Sequence, residues 1–250
     1  MDSKNYIFNN IEEDLKKDIC QALSKVPLLT DLATQDLSAQ NSKKFRFWDE
    51  LATLLCNGKD IKDARVYLTK SGCWEFAIIV KHEDVFVFMR ETRFAKLQKD
   101  HDINSNLPHY CVSLAKILNV DIEEDEAELF PDYTKVNPSY SENVVKRVLR
   151  PLYQNGESIN NFYLVLFNQS VEIITSARIV MLNANFRIHR EENISRYLTN
   201  DNSGIITDVV TKKQNIAKKV KAPLSLKVLA QKESEKNLKL RNNDTEKIKE

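Results

Sequence analysis

Glycine is scarce. Only Gly58, Gly72, Gly156 and Gly204 occur in 250 residues, each far from the next. A Walker loop or a dinucleotide fingerprint needs glycines clustered within a few positions, so glycine-rich phosphate loops are excluded, and most nucleotide-driven enzymes with them. Cysteine is equally sparse. Cys20, Cys56, Cys73 and Cys111 stand too far apart for a local zinc knuckle. They are expected to be free thiols behaving as small apolar residues, Cys111 being the one thiol with a histidine (His109) close by. The four histidines, His82, His101, His109 and His189, include no helical i, i+4 pair. Apolar runs such as Phe76 to Val80 fall far short of the roughly twenty residues a membrane span needs. The opening residues, Met1 to Tyr6, lack the basic-then-apolar pattern of a secretion signal. These absences predict a cytoplasmic chain with no cofactor, no metal and no membrane contact.

What is present has an ordinary soluble balance, 42% hydrophobic and 29% charged. The net charge of +1 conceals an asymmetry. Residues 211–250 carry twelve basic against five acidic side chains, so the rest of the chain is mildly acidic. Lys212, Lys213, Lys218, Lys219 and Lys221 lead this basic stretch, which is poor in aromatics. It reads as a partly disordered tail (204–250) following an α+β body (1–203). Such a tail suits electrostatic contact with nucleic acid, yet it lacks the aromatic platforms on which single strands stack. Abundant Lys, Asn and Ile with little Gly also points to an AT-rich coding genome, as in low-GC bacteria or their mobile elements.

Hydrophobic periodicity divides the body. Ile11, Leu15, Ile19, Leu23 and Val26 recur at helical spacing, with Pro27 taken as the stop. A second helix is expected from about Arg46 to Cys56, ended by Asn57 and Gly58, with polar residues 31–44 as a loop between the two. Three strands follow, Ala64–Thr69, Trp74–Val80 and Val85–Arg90, joined by links short enough for antiparallel hairpins. The third is apolar on both faces, as a central strand would be. A helix is predicted from Pro108 to Leu118, then an acidic connector from Asp121 to Glu128 that lacks the spacing of a calcium loop. Ser139 to Glu142 resembles a capping box opening another helix, ended by Pro151. Strands at Phe162–Phe167, Val171–Thr175, Arg178–Leu182 and about Phe186–His189 come next, with Asn168 to Ser170 as a hairpin loop and a short helix over Glu191–Leu198. The expected fold class is therefore α+β: a helical N-terminal region, antiparallel sheet elements in two portions with packed helices, and a flexible basic tail. The body is read either as one unit or as two subdomains, about 1–120 and 139–203.

Three groupings could carry function. Arg90, Glu91 and Arg93 directly follow the apolar third strand, where a rigid element presents side chains. If His109 and Tyr110 pack near that strand end, His109 and Glu91 become the catalytic candidates of a metal-independent, ribonuclease-like phosphodiester enzyme, with Arg90 and Arg93 binding phosphate. A structural Arg–Glu pair orienting a helix start is the simpler alternative. Lys146, Arg147 and Arg150 form a basic helical edge that either joins the tail lysines as a phosphate-binding surface or is an ordinary solvated face. No Asp…Glu-x-Lys metal-nuclease set emerges, because Ala77 stands where lysine would follow Glu75. No serine-nucleophile elbow is present either. The sequence therefore favours a non-enzymatic interaction protein that binds a protein partner or nucleic acid. It leaves catalysis and oligomeric state open.

Overall fold

The computed structural model describes residues 11–39, 41–57, 61–104, 107–122, 138–170 and 173–199. They form α1 (Glu13–Thr34), α2 (Lys43–Cys56), β1 (Arg65–Ser71), β2 (Trp74–Lys81), β3 (Asp84–Arg90), α3 (Glu91–Ile103), α4 (Tyr110–Leu118), α5 (Pro138–Val148), α6 (Arg150–Gln154), β4 (Asn161–Ser170), β5 (Ile173–Leu182) and β6 (Ile188–Asn193). The protein is α+β, as the periodicity predicts. Its two strand trios are each antiparallel, and they join through a parallel pair, β3 with β4, into one six-stranded sheet ordered β1-β2-β3-β4-β5-β6.

The apolar pattern explains the layering. Phe76, Ile78 and Val80 alternate onto one face of β2, while Ala77 and Ile79 point to the other. Helices α3 to α6 cover the first face with Phe94, Leu97, Leu114, Val148 and Leu152. Helices α1 and α2 cover the second with Leu15, Ile19, Leu23, Phe47, Leu51 and Leu55. β3 and β4 are thus central strands buried on both faces, which is why they read as continuous apolar runs. The β1–β2 hairpin turns on Gly72, whose φ of +64° fits the first position of a type II′ turn. The β2–β3 hairpin places His82 and Glu83 at φ +50° and +68°, a type I′ geometry reached here without glycine.

Several boundaries differ from the sequence reading, each for a physical reason. Helix α1 continues through Pro27 to Thr34. The hydroxyls of Thr30 and Thr34 bond to the carbonyls of Val26 and Thr30, both at 2.8 Å, and the buried face of this last turn holds it against the core. Helix α2 begins at Lys43, within the predicted loop. Pro151 does not only close a helix; it sits in the first turn of α6, where its missing N–H costs nothing. Asn168 to Ser170 stay paired in β4 instead of forming a loop, and Ile173–Leu182 is one strand, not two; Val171, where the first of the two was expected to begin, lies outside the described residues. The predicted helix over Glu191–Leu198 is replaced by β6, because Glu191, Glu192 and Asn193 pair with Val180, Ile179 and Arg178. Among the described residues a 3₁₀ turn, Ser195–Tyr197, follows. His101 lies on α3 rather than in a loop, its ring 5.8 Å from that of Phe186.

Polar contacts tie chain-distant parts together. Lys16 on α1 pairs with Glu192 on β6 at 2.7 Å, and Cys20 donates to the Ile194 carbonyl. At the end of α4 the buried Asn119 amide donates to the carbonyls of Phe162 (2.9 Å) and Leu182 (2.7 Å) and accepts from the Phe162 N–H (2.9 Å). One side chain thereby completes the backbone bonding where β4 begins and β5 ends. Among the described residues no helix is long and apolar enough to cross a membrane.

Candidate functional site

The carboxyl ends of β3 and β4 open into two cavities, a common location for ligand sites where parallel strands end. The first, about 430 Å³, is walled by Trp48 of α2, Trp74 and Phe76 of β2, Arg93 of α3, and His109 and Tyr110 at the start of α4. The second, about 360 Å³, is lined by Thr30, Lys43, Lys44, Thr92 and Gln169 over an apolar floor that includes Phe47 and Phe167. Arg90 lines both. Both volumes fall in the range of small-molecule and cofactor sites.

Arg90 ends β3 and stands at the N-cap of α3. Its guanidinium lies over the Phe47 ring at 5.0 Å and near the Trp48 ring at 5.9 Å, and Nη2 donates to Gln169 Oε1 at 3.0 Å. Nε is buried without a hydrogen-bond partner, and burial lowers the pKa of the group. Among the described residues no carboxylate pairs with Arg90 or with the exposed Arg93. The first cavity therefore carries two cations that no carboxylate pairs among the described residues, whereas in the second Lys43 is ion-paired with Asp31 and Lys44 is exposed. Aromatic rings surround them: Trp48 meets Trp74 edge-on at 6.1 Å, Phe76 stacks on Tyr110 at 4.6 Å, and the exposed Phe45 reaches Trp74 at 6.2 Å. Both tryptophans of the chain line the first cavity.

The candidate residues divide. Arg90, Arg93 and His109 come together in the first cavity. Glu91 is not part of its lining. It points to β5, where its two oxygens take Nε and Nη2 of Arg178 at 2.6 and 3.0 Å, while Glu191 pairs with Nη1. This is the structural ion pair that the sequence allowed as the simpler alternative, with Arg178 rather than Arg90 as its cation. His109 caps α4: its Nδ1 accepts the Cys111 N–H at 3.2 Å, so Nε2 carries the proton of the neutral ring. Burial, reinforced by Arg93, holds its pKa down to about 4. At neutral pH His109 therefore offers the cavity a hydrogen-bond donor, and neither ring nitrogen is available as a base. Cys111 is buried and its thiol is pushed up by burial; its link to His109 runs through the backbone.

Elsewhere, Lys146, Arg147 and Arg150 are exposed around the α5–α6 junction, Lys146 beside Glu142 at 3.5 Å. Lys212, Lys213, Lys218, Lys219 and Lys221 lie outside the described residues. Among the described residues no group of three or more His, Cys, Asp or Glu side chains could hold a metal ion. Trp48, Lys43 and Lys44 were not singled out from sequence. Trp48 reads there as one more apolar residue of a helix, and the lysines fall in a stretch that reads as loop.

Residues 6–246 match the family of unknown function DUF5986. The chain belongs to that family. No curated protein and no solved structure matches it. The match runs well into the basic stretch, so the family definition takes in those lysines as well as the sheet.

Proposed function

We propose that this DUF5986 chain is a non-enzymatic nucleic-acid-binding protein that holds its ligand in the cleft at the ends of β3 and β4. The observation that carries the reading is Arg90. A half-buried guanidinium with an unpartnered Nε, no carboxylate and an open cavity on each side is electrostatically incomplete. A phosphate in either cavity would supply the counter-charge it lacks, since guanidinium–phosphate contacts are charge-assisted. The neighbouring rings suit the faces of nucleobases. A cytoplasmic location fits, because all four cysteines are free thiols, as a reducing compartment keeps them.

Phosphodiester cleavage by Arg90, Glu91, Arg93 and His109 receives less support. Its carboxylate is engaged by Arg178, and its histidine is held neutral with Nδ1 occupied. A protein partner is not favoured by any feature of the cleft over a ligand bearing phosphate.

Replacement of Arg90 by Met tests the reading, because it keeps length and apolar contact while removing the charge. Binding of a ten-nucleotide single strand to the full chain should weaken about 10- to 100-fold, the worth of one charge-assisted contact. Stability to urea should stay level or rise, because an uncompensated charge has been removed. Unchanged affinity with lowered stability would make Arg90 a structural residue and end the proposal.

A further inference from the structure

We infer that the cleft takes unpaired bases, so that the protein selects single-stranded nucleic acid over duplex. This rests on the nucleic-acid reading above and names its ligand class. The basic stretch 211–250 is rich in lysine but poor in aromatics, and lysines alone attract any phosphate backbone regardless of strandedness. The stacking surfaces are on the sheet and its helices. Trp48 and Trp74 wall a cavity of about 430 Å³ in which Tyr110 is already stacked on Phe76 and His109, with Arg93 and neutral His109 as polar groups among the rings. A cavity of that size accepts one base and its sugar. It cannot accept a duplex, whose bases are already stacked and paired and turn only their edges outward.

The second cavity continues the path. Arg90 separates the aromatic chamber from one carrying Lys43, Lys44 and Thr92. A strand that places a base against Trp74 can therefore set its adjoining phosphate on Arg90 and carry its backbone towards Lys44, which is exposed. Among the described residues no carboxylate pairs with Arg90 or Arg93, which leaves that part of the path positively charged, and the exposed Lys44 continues it beyond the Lys43–Asp31 pair.

Both tryptophans of the chain line the aromatic chamber, so intrinsic fluorescence reports on it directly. The full-length protein is titrated with a ten-nucleotide thymidine strand and with a blunt hairpin duplex of matched charge, at two salt concentrations. The single strand should quench tryptophan emission and bind at least about tenfold more tightly than the duplex. Trp74→Leu, which retains apolar volume at a half-buried site, should erase most of that preference while leaving duplex affinity unchanged; circular dichroism verifies that the variant is folded. Equal binding of the two ligands with no change in emission would overturn the inference while leaving nucleic-acid binding itself standing. Binding of neither ligand at low salt would overturn the parent reading and this inference together.

Discussion

Two half-buried titratable side chains, Asp84 at the start of β3 and His109 at the cap of α4, pull stability in opposite directions with pH. His109 is held down to about 4 by burial and by Arg93, so between that value and its ordinary 6.5 the unfolded chain binds a proton that the folded chain refuses. Its contribution to stability is therefore lost as pH falls through that window. Asp84 behaves in the opposite sense. Burial pushes it up to about 6 from 3.8, only partly offset by the hydrogen bond from Asn161 at 2.8 Å, so the folded chain holds a proton that the unfolded chain has released. Its contribution is present in acid and lost as pH rises towards 6. His109→Asn retains a helix-capping acceptor, and Asp84→Asn retains volume. Relative to the parent protein, the first variant should gain stability at pH 4.5 compared with pH 7, and the second should gain at pH 7 compared with pH 4.5. Each effect should be on the order of 1–3 kcal/mol in urea unfolding. A reversal of either trend would contradict the burial assigned to that side chain. Residue type alone made His109 and the arginines visible as candidates, since a charged cluster after an apolar strand stands out. Their true partners were not visible. Arg178 lies 87 positions after Glu91 and meets it only because β4 and β5 lie beside β3 in the sheet.

At the scale of elements, the legible features are those written in local alternation. β1, β2 and β3 and their two tight turns follow from period-two patterning and loop length, and the burial of β3 on both faces follows from its composition. The features that escaped depend on contacts from elsewhere. β6 exists because β5 offers it a ladder; alone, Arg190, Glu191 and Glu192 look like the first turn of a helix. Helix α1 passes Pro27 because its last turn is packed, which no propensity reveals. The tie between the start of β4 and the end of β5 is made by Asn119, which in sequence is only a polar residue after a helix. Asn119→Ala would leave the Phe162 N–H and the carbonyls of Phe162 and Leu182 without this partner in a buried site. The expected cost is about 3–5 kcal/mol in urea unfolding, accompanied by faster hydrogen exchange at the Phe162 amide. A loss below about 1 kcal/mol would mean that the strand ends are held by the ladder alone.

For the whole molecule, the charge distribution gives the proposed function separate sources of affinity and selectivity. Apart from residues 211–250 the chain is mildly acidic, so under the proposed function the attraction of a polyanion falls to the twelve basic residues of that stretch. Counterion release scales with the number of phosphates neutralised and ignores whether bases are paired, whereas the aromatic chamber, on the inference above, would discriminate between paired and unpaired bases while adding few charges. The two contributions can thus be separated in the full-length protein. Replacing Lys212, Lys213, Lys218, Lys219 and Lys221 by glutamine should lower the slope of log affinity against log salt for a single strand by up to about 3.5. It should weaken duplex binding in parallel and leave tryptophan quenching at saturation intact. Trp74→Leu should do the reverse, preserving the salt slope while removing the preference for unpaired bases. If the five lysines instead left the slope untouched, the phosphate contacts would belong to Arg90, Arg93 and their neighbours alone, and the basic stretch would have no part in holding nucleic acid.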